Sequence, residues 1–256
     1  MERQTCGTGR HLMSVTWNPF HGCHKLSDGC KHCYMYRRDA EYGKDSSVVA
    51  KTAAFNLPVR RSRNGAYKIP SGEIVFTCFT SDFFIEEADI WREELWNMMR
   101  IRSDLVFFIV TKRPERFFVS LPEDWGTGYE NVHISCTCES QYTADRRLPV
   151  FLKLPVRHKS ITHEPMLQRI NIRPYLEKYG NEIESVSCGG ESGPEARPCD
   201  YAWVLDTMLQ CVEYNVSFFF HQTGANFIKE GIRYRIDRKY QHSQAARAGI
   251  DYCKVS

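Results

Sequence analysis

A chain of 256 residues, 42% hydrophobic and 13% aromatic, can bury a sizeable core and suits either one α/β barrel or two smaller domains. Its net charge of +3 permits an anionic partner without demanding one. Eleven dispersed cysteines, odd in number, and no apolar signal-peptide segment over residues 1–14 argue against a disulfide scaffold and for a reducing cytoplasm; no apolar run approaches the ~18 residues of a membrane span.

In chain order, the first informative segment is Trp17-Asn18-Pro19-Phe20-His21-Gly22-Cys23, where Asn-Pro ends whatever strand precedes it. Asp28-Gly29-Cys30-Lys31-His32-Cys33-Tyr34 follows, so Cys23, Cys30 and Cys33 stand at the spacing C-x6-C-x2-C. The glycines before Cys23 and Cys30 suit a loop folded tightly around an inorganic core. Structural zinc takes four ligands, whereas a [4Fe–4S] cubane held by three cysteines leaves one iron open to a non-protein ligand. The segment is therefore read first as a cluster-binding loop after the first strand. A Cys3His zinc site completed by His21, His24 or His32 is the second reading, and reduced cysteines that bind nothing are the third.

Residues 56–72 form a basic insert, with Arg60, Arg61, Arg63 and Lys68 around Tyr67. Apolar strand-like runs then cover 74–79, 105–110, 132–136, 158–162, 185–188 and 216–220, and helices are expected between them over 86–100, 114–120, 140–148, 166–179 and 200–214. In the first of these helices Ile90, Trp91, Leu95, Met98 and Met99 are expected to form a core stripe. Strands alternating with helices imply a parallel sheet with right-handed crossovers. With no linker rich in Gly, Ser or Pro, residues 1–256 are expected to form a single α/β domain, a full or partial TIM-like barrel. An open doubly wound parallel sheet is the alternative, and residues 225–256 read as a basic C-terminal extension.

Each later strand-like run ends in a polar cluster: Thr80-Ser81-Asp82, Thr111-Lys112-Arg113-Pro114, Thr137-Cys138-Glu139, His163-Glu164-Pro165, Gly189-Gly190-Glu191-Ser192-Gly193 and His221-Gln222-Thr223-Gly224. In a parallel barrel these fall at the carboxyl ends of the strands, where active sites are built and where the cysteine loop would also open. Any one cluster is an ordinary cap or turn; their repetition points to a site.

Trp17-Asn18-Pro19 with the cysteine loop and Tyr34, Ser81-Asp82, Thr111-Lys112-Arg113-Pro114-Glu115-Arg116, Glu164-Pro165, and Gly189-Gly190-Glu191-Ser192-Gly193-Pro194 through Ala196-Arg197-Pro198 together resemble the phage Gp37/Gp68-type, three-Cys-motif (DUF5131-like) family over residues 17–224. The resemblance implies a radical S-adenosylmethionine (SAM)-like enzyme, although the cysteine spacing differs from the C-x3-C-x2-C usual in that superfamily. It implies a [4Fe–4S] cluster and SAM as cofactors, and an electron donor such as flavodoxin or ferredoxin. On that reading Cys23, Cys30 and Cys33 are the metal ligands. Tyr34, Ser81, Asp82, Glu164, Gly189, Gly190, Glu191 and Ser192 are candidate cofactor contacts, and Lys112, Arg113 and His221 are candidate catalytic or substrate-binding groups. The glycines permit close backbone approach, the carboxylates can accept from ribose hydroxyls or the SAM ammonium, and the two cations suit a carboxylate or a phosphate. His221 suits an acid or base as well as a hydrogen-bonded structural role.

Cys136 and Cys138 share one strand face and read first as small hydrophobes, second as a redox pair; Cys78, Cys188 and Cys211 read as core. The basic insert, and the run with Arg233, Arg235, Arg238 and Lys239 beside Tyr234 and Tyr240, read first as solvated loops and second as tracks for a phosphate backbone. Two function classes follow. One is a radical SAM-like enzyme that modifies an anionic substrate such as a nucleic-acid base or nucleotide. The other is a non-catalytic iron–sulfur or zinc protein that recognises nucleic acid or a protein partner. The Gly-Gly-Glu and Ser-Asp clusters favour the enzyme, because a purely structural metal site has no use for them.

Overall fold

The structure is a computed structural model and describes residues 14–255. Seven parallel strands form one sheet: β1 (Ser14–Trp17), β2 (Ile74–Thr77), β3 (Val106–Thr111), β4 (Val132–Thr137), β5 (His158–His163), β6 (Ile183–Gly189) and β7 (Ser217–Gln222). Strand order follows chain order, without the reversal found at the switch point of a doubly wound sheet. The sheet curls but stays open, since β1 and β7 lie at opposite edges; the closed TIM barrel is not formed, and the architecture is α/β with a half-barrel sheet.

The strands arise where β-branched and aromatic residues concentrate, and their period-2 alternation sorts side chains onto two faces. One face presents Val75, Phe107, Ile109, Ile134, Ile161, Val186 and Phe218, all buried in the core beneath the helices. The other, inner face aligns Phe76 with Phe108, Phe108 with His133 and His133 with His158 across successive strands. Farther along β4 to β6 that face is hydroxyl-lined: Ser135 meets Thr162 at 2.7 Å and Thr162 meets Ser187 at 3.2 Å.

The helices are α1 (Tyr34–Glu41), α2 (Asp89–Ile101), α3 (Gln141–Phe151), α4 (Arg173–Tyr179), α5 (Tyr201–Glu213) and α6 (Arg238–Arg247). Two expected helices are shorter than the sequence suggests. Residues 114–120 make only a 3-10 turn, Pro114–Arg116, and Ser120 then takes a positive φ of 57°. Residues 166–172 stay irregular and their later amides serve side chains elsewhere: Asn171 N–H donates to Gln141 Oε1 and Ile172 N–H to Gln210 Oε1, each at 2.7 Å. In α2 the expected stripe is displaced. Ile90 is 83% exposed, and the buried face runs through Arg92, Leu95, Trp96 and Met99 at helical spacing. Arg92 is tolerated there because its guanidinium reaches Asp89 at 2.8 Å and the Ile85 carbonyl at 2.8 Å.

The basic insert is folded back on itself. Tyr67 lies between two guanidinium groups, Arg61 at 3.9 Å and Arg102 at 4.1 Å from its ring centre, so its faces are occupied and do not offer a stacking platform for a base. Residues 225–255 are likewise built into the fold. Strand Asn226–Lys229 pairs with Ile232–Arg235 and with Cys199–Asp200, and Tyr252 exchanges backbone hydrogen bonds with Phe218, which covers the β7 edge. Cys78, Cys136, Cys138, Cys188 and Cys211 are free and buried. No described helix is long and apolar enough to cross a membrane.

Candidate functional site

The cysteine loop is held to the carboxyl ends of β1 and β2. Gly22 N–H donates to the Thr80 carbonyl at 3.2 Å, Cys23 N–H donates to that of Ser46 at 2.8 Å, and the Ser81 hydroxyl donates to the Gly22 carbonyl. Gly22 must be glycine: its φ is +101°, and a Cβ there would stand 2.3 Å from the Val48 carbonyl oxygen. Cys30 closes a 3-10 turn, Asp28–Cys30, and Cys33 is the N-cap of α1, whose positive end favours negative charge at that thiol's position.

All three cysteines are free and half-buried. They converge around Tyr36, whose hydroxyl donates to the Cys23 carbonyl. Burial, and then the neighbouring Cys23, Cys30 and Cys33, push the Tyr36 phenol up to about 12. Burial, and then Asp82, push the Cys23 thiol up to about 11, while Arg113 works the other way. The donor set is thus three thiols, and the histidines offered as a fourth ligand are turned to carboxylates: His21 to Asp39 at 2.8 Å, His24 to Glu87, and His32 to Glu195 at 3.2 Å. Tetrahedral zinc brings its sulfurs to ~3.8 Å of one another. Among the described residues, a single group of three candidate ligands falls within 4.8 Å, and it is not this one.

Each strand end braces the loop in a different way. At β3, Arg113 donates to the His24 carbonyl at 2.9 Å and pairs with Asp82 at 3.3 Å. Asp82 in turn accepts from the Thr111 hydroxyl at 2.7 Å, Lys112 N–H at 2.8 Å and Phe84 N–H at 3.0 Å. At β4, buried Glu139 accepts from Ser27 of the cysteine loop and from Arg147 at 2.6 Å. Burial opposes its ionisation, yet Lys112 and then Arg147 hold its carboxyl below the usual range. At β6, Glu191 binds Arg197 at 2.6 and 2.9 Å, and Arg197 reaches across to the Asp28 carbonyl at 2.8 Å. Ser192 gives its carbonyl to Arg37 of α1 at 3.3 Å.

These contacts engage several of the expected site residues. Asp82 and Glu191 direct their carboxylates at the protein's own cations, and Arg113 donates to the loop at the His24 carbonyl. Gly189 and Gly190 do allow close approach, but the approaching groups belong to the chain: a Cβ on Gly189 would lie 2.7 Å from the Glu164 carboxyl carbon, and one on Gly190 2.2 Å from the Thr223 carbonyl. Glu164, 26% exposed in its side chain and preceding a cis proline, meets His221 at 3.2 Å and Gln222. Its carboxyl sits below the usual range although burial works against that, because His221 donates to it.

What stays accessible is a smaller set. Tyr34 is 40% exposed with its hydroxyl on the Phe79 carbonyl, Lys112 is half-buried, and Phe79 is 39% exposed beside Phe76. A side cleft of about 270 Å3 opens one helical turn beyond Cys33, lined by Arg37, Gly193, Pro194, Arg235, Asp237 and Arg238. Tyr36, Glu139, Arg197 and Arg37 are site residues that the sequence reading missed. Glu139 and Arg197 stood inside motifs already singled out, whereas nothing in the sequence marks Tyr36.

The model of one family, described as Protein of unknown function (DUF5131), matches residues 9–249. No curated protein and no solved structure shows a significant match. The matched span covers all of the strands and helices described above, and the chain belongs to the DUF5131 family.

Proposed function

We propose that this protein is a radical SAM-like iron–sulfur enzyme that modifies an anionic substrate. The observation that carries the reading is the convergence of three free, half-buried thiols at the carboxyl end of a parallel half-barrel sheet, with the rest of that end arranged to hold them. Three thiolates match a [4Fe–4S] cubane with one open iron, which the amino and carboxylate groups of SAM would occupy. Together the cluster and SAM would supply one-electron cleavage and hydrogen abstraction, with flavodoxin or ferredoxin as electron donor.

The chain's own contributions follow from position. Cys23, Cys30 and Cys33 hold the metal; Arg113, Arg197, Ser81 and Tyr36 fix the loop that carries them. Lys112 and Tyr34 are accessible for the SAM carboxylate and adenine. Phe79, packed on Phe76 just past the end of β2, would give the site an apolar side. Arg37, Arg235 and Arg238 make the adjoining cleft suitable for a phosphate or carboxylate of the substrate.

Anaerobic purification with iron, sulfide and zinc analysis, then reduction in the presence of SAM, tests the proposal. The expected result is one cluster per chain and release of 5′-deoxyadenosine, with iron and colour lost together in Cys23→Ala, Cys30→Ala or Cys33→Ala. Stoichiometric zinc without sulfide in the anaerobic protein refutes it.

A further inference from the structure

Far from the cysteine loop, the inner face carries a second constellation. His133 is the second residue of β4, His158 the first of β5 and Glu184 the second of β6, which places all three at the amino ends of adjacent strands. At ~3.3 Å per residue, the four steps from His133 to Thr137 along β4 put roughly 13 Å between this group and the carboxyl end. Register brings the histidines together, because His133 pairs directly with His158 and their rings stack at 4.1 Å with planes 11° apart. The third member comes from an irregularity. Lys159 pairs with Ile183 and Ser160 with Ser185, so Glu184 is the extra residue at a bulge and its carboxylate turns toward both rings.

The resulting contacts converge: His133 Nδ1 lies 3.2 Å from one Glu184 oxygen and His158 Nδ1 2.5 Å from the other. On the far side of its ring from Glu184, His158 Nε2 is buried without a hydrogen-bond partner and lies 3.7 Å from the carboxylate of Glu130, so Nδ1 is the nitrogen that faces the candidate site. Within the described residues this is the group of candidate ligands whose donor atoms all fall within 4.8 Å of one another. The side chains are 26%, 21% and 40% exposed, so an ion can reach them.

We infer that His133, His158 and Glu184 bind one divalent transition-metal ion of the zinc type, clipping β4, β5 and β6 together at the amino end of the sheet. Two imidazoles and a carboxylate are a borderline-hard set suited to such ions. Bonds of ~2.0–2.2 Å in a tetrahedron put neighbouring ligand atoms ~3.4 Å apart. The His133–Glu184 spacing already meets that, and the His158–Glu184 contact opens by less than ~1 Å while the rings splay from their stack. The fourth position falls to water, since Glu130 stands on the Nε2 side of His158 and pairs with Arg157.

Cobalt(II) titration of the cluster-loaded protein, after removal of loosely held metal, is the test. The expected result is one equivalent bound with visible tetrahedral bands and no thiolate charge-transfer band, displaced by zinc, and a rise in thermal midpoint on adding zinc. His158→Gln and Glu184→Gln should each weaken binding by more than ~100-fold, since even groups behind a ligand cost 10–100-fold. Glu184→Gln keeps side-chain shape, so circular dichroism identifies any loss that is merely misfolding. Cobalt bound solely with a thiolate band, or unchanged binding in both variants, overturns the inference.

Discussion

At the carboxyl end of the sheet every strand-end carboxylate described above has a partner within the chain: Asp82 has Arg113, Glu139 has Arg147, Glu191 has Arg197 and Glu164 has His221. The three half-buried thiols, with Tyr34 and Lys112, are what that end leaves open. At the amino end the proportion is reversed, with two imidazoles turned on one carboxylate and a ring nitrogen buried without a hydrogen bond. The contrast teaches that a cluster of conspicuous polar residues in a motif is not itself the reactive group. Most of such a cluster neutralises itself, and the chemistry belongs to whichever donors the bracing leaves accessible.

The sharpest way to break this comparison is to remove a brace. Asp82→Ala strips the partner from Arg113, both nearly fully buried, and should destabilise the fold by about 3–5 kcal/mol in urea unfolding. A loss under about 1 kcal/mol would mean that the pair is not the keystone of the β2–β3 end. Glu191→Gln should cost less, about 1.5–3 kcal/mol, by loosening Arg197 from the Asp28 carbonyl. Faster iron release to a chelator is its expected signature. Unchanged iron release with weakened SAM binding would return Glu191 to the cofactor.

The amino end should reveal itself in acid. Burial opposes ionisation of Glu184, but His133 and His158 hold its carboxyl down at about 2, against 4.5 ordinarily. A depressed folded pKa gives stability that is present above about 4.5 and is lost as pH falls toward 2. Because the side chain is 40% exposed, the contribution is about 1 kcal/mol or less. Wild type should lose that increment over this window and Glu184→Gln should not; identical acid profiles would contradict the pairing. Smallest of all, Cys136→Ala and Cys138→Ala should leave iron content untouched, since both thiols are buried beneath the helices and far up in pKa for Cys138, chiefly through burial. Iron loss in either would erase the distinction between core sulfur and loop sulfur.

Much of this molecule is legible in the linear chain. Strand runs such as Val106–Thr111 announce themselves through β-branched and aromatic density, and the C-x6-C-x2-C loop through a spacing that local geometry alone can close. Helix limits were less legible: residues 166–172 have helical composition, but Gln141 of α3 and Gln210 of α5 take the amides of Asn171 and Ile172. Ile90 and Arg92 exchanged places for the same kind of reason, because a carboxylate and a carbonyl from elsewhere made the buried guanidinium tolerable.

The chain's order of residues determined that three thiols sit together on one loop and that polar groups recur at strand ends, since both are matters of short range and fixed period. Which of those groups face a ligand and which face each other was decided only in three dimensions. Arg197 and Asp28, Arg113 and His24, and His133, His158 and Glu184 are far apart along the chain and are joined by strand register, a bulge and the curl of an open sheet. No local preference encodes such pairings; they exist because the hydrophobic face of the sheet fixes register and carries every inner-face side chain with it.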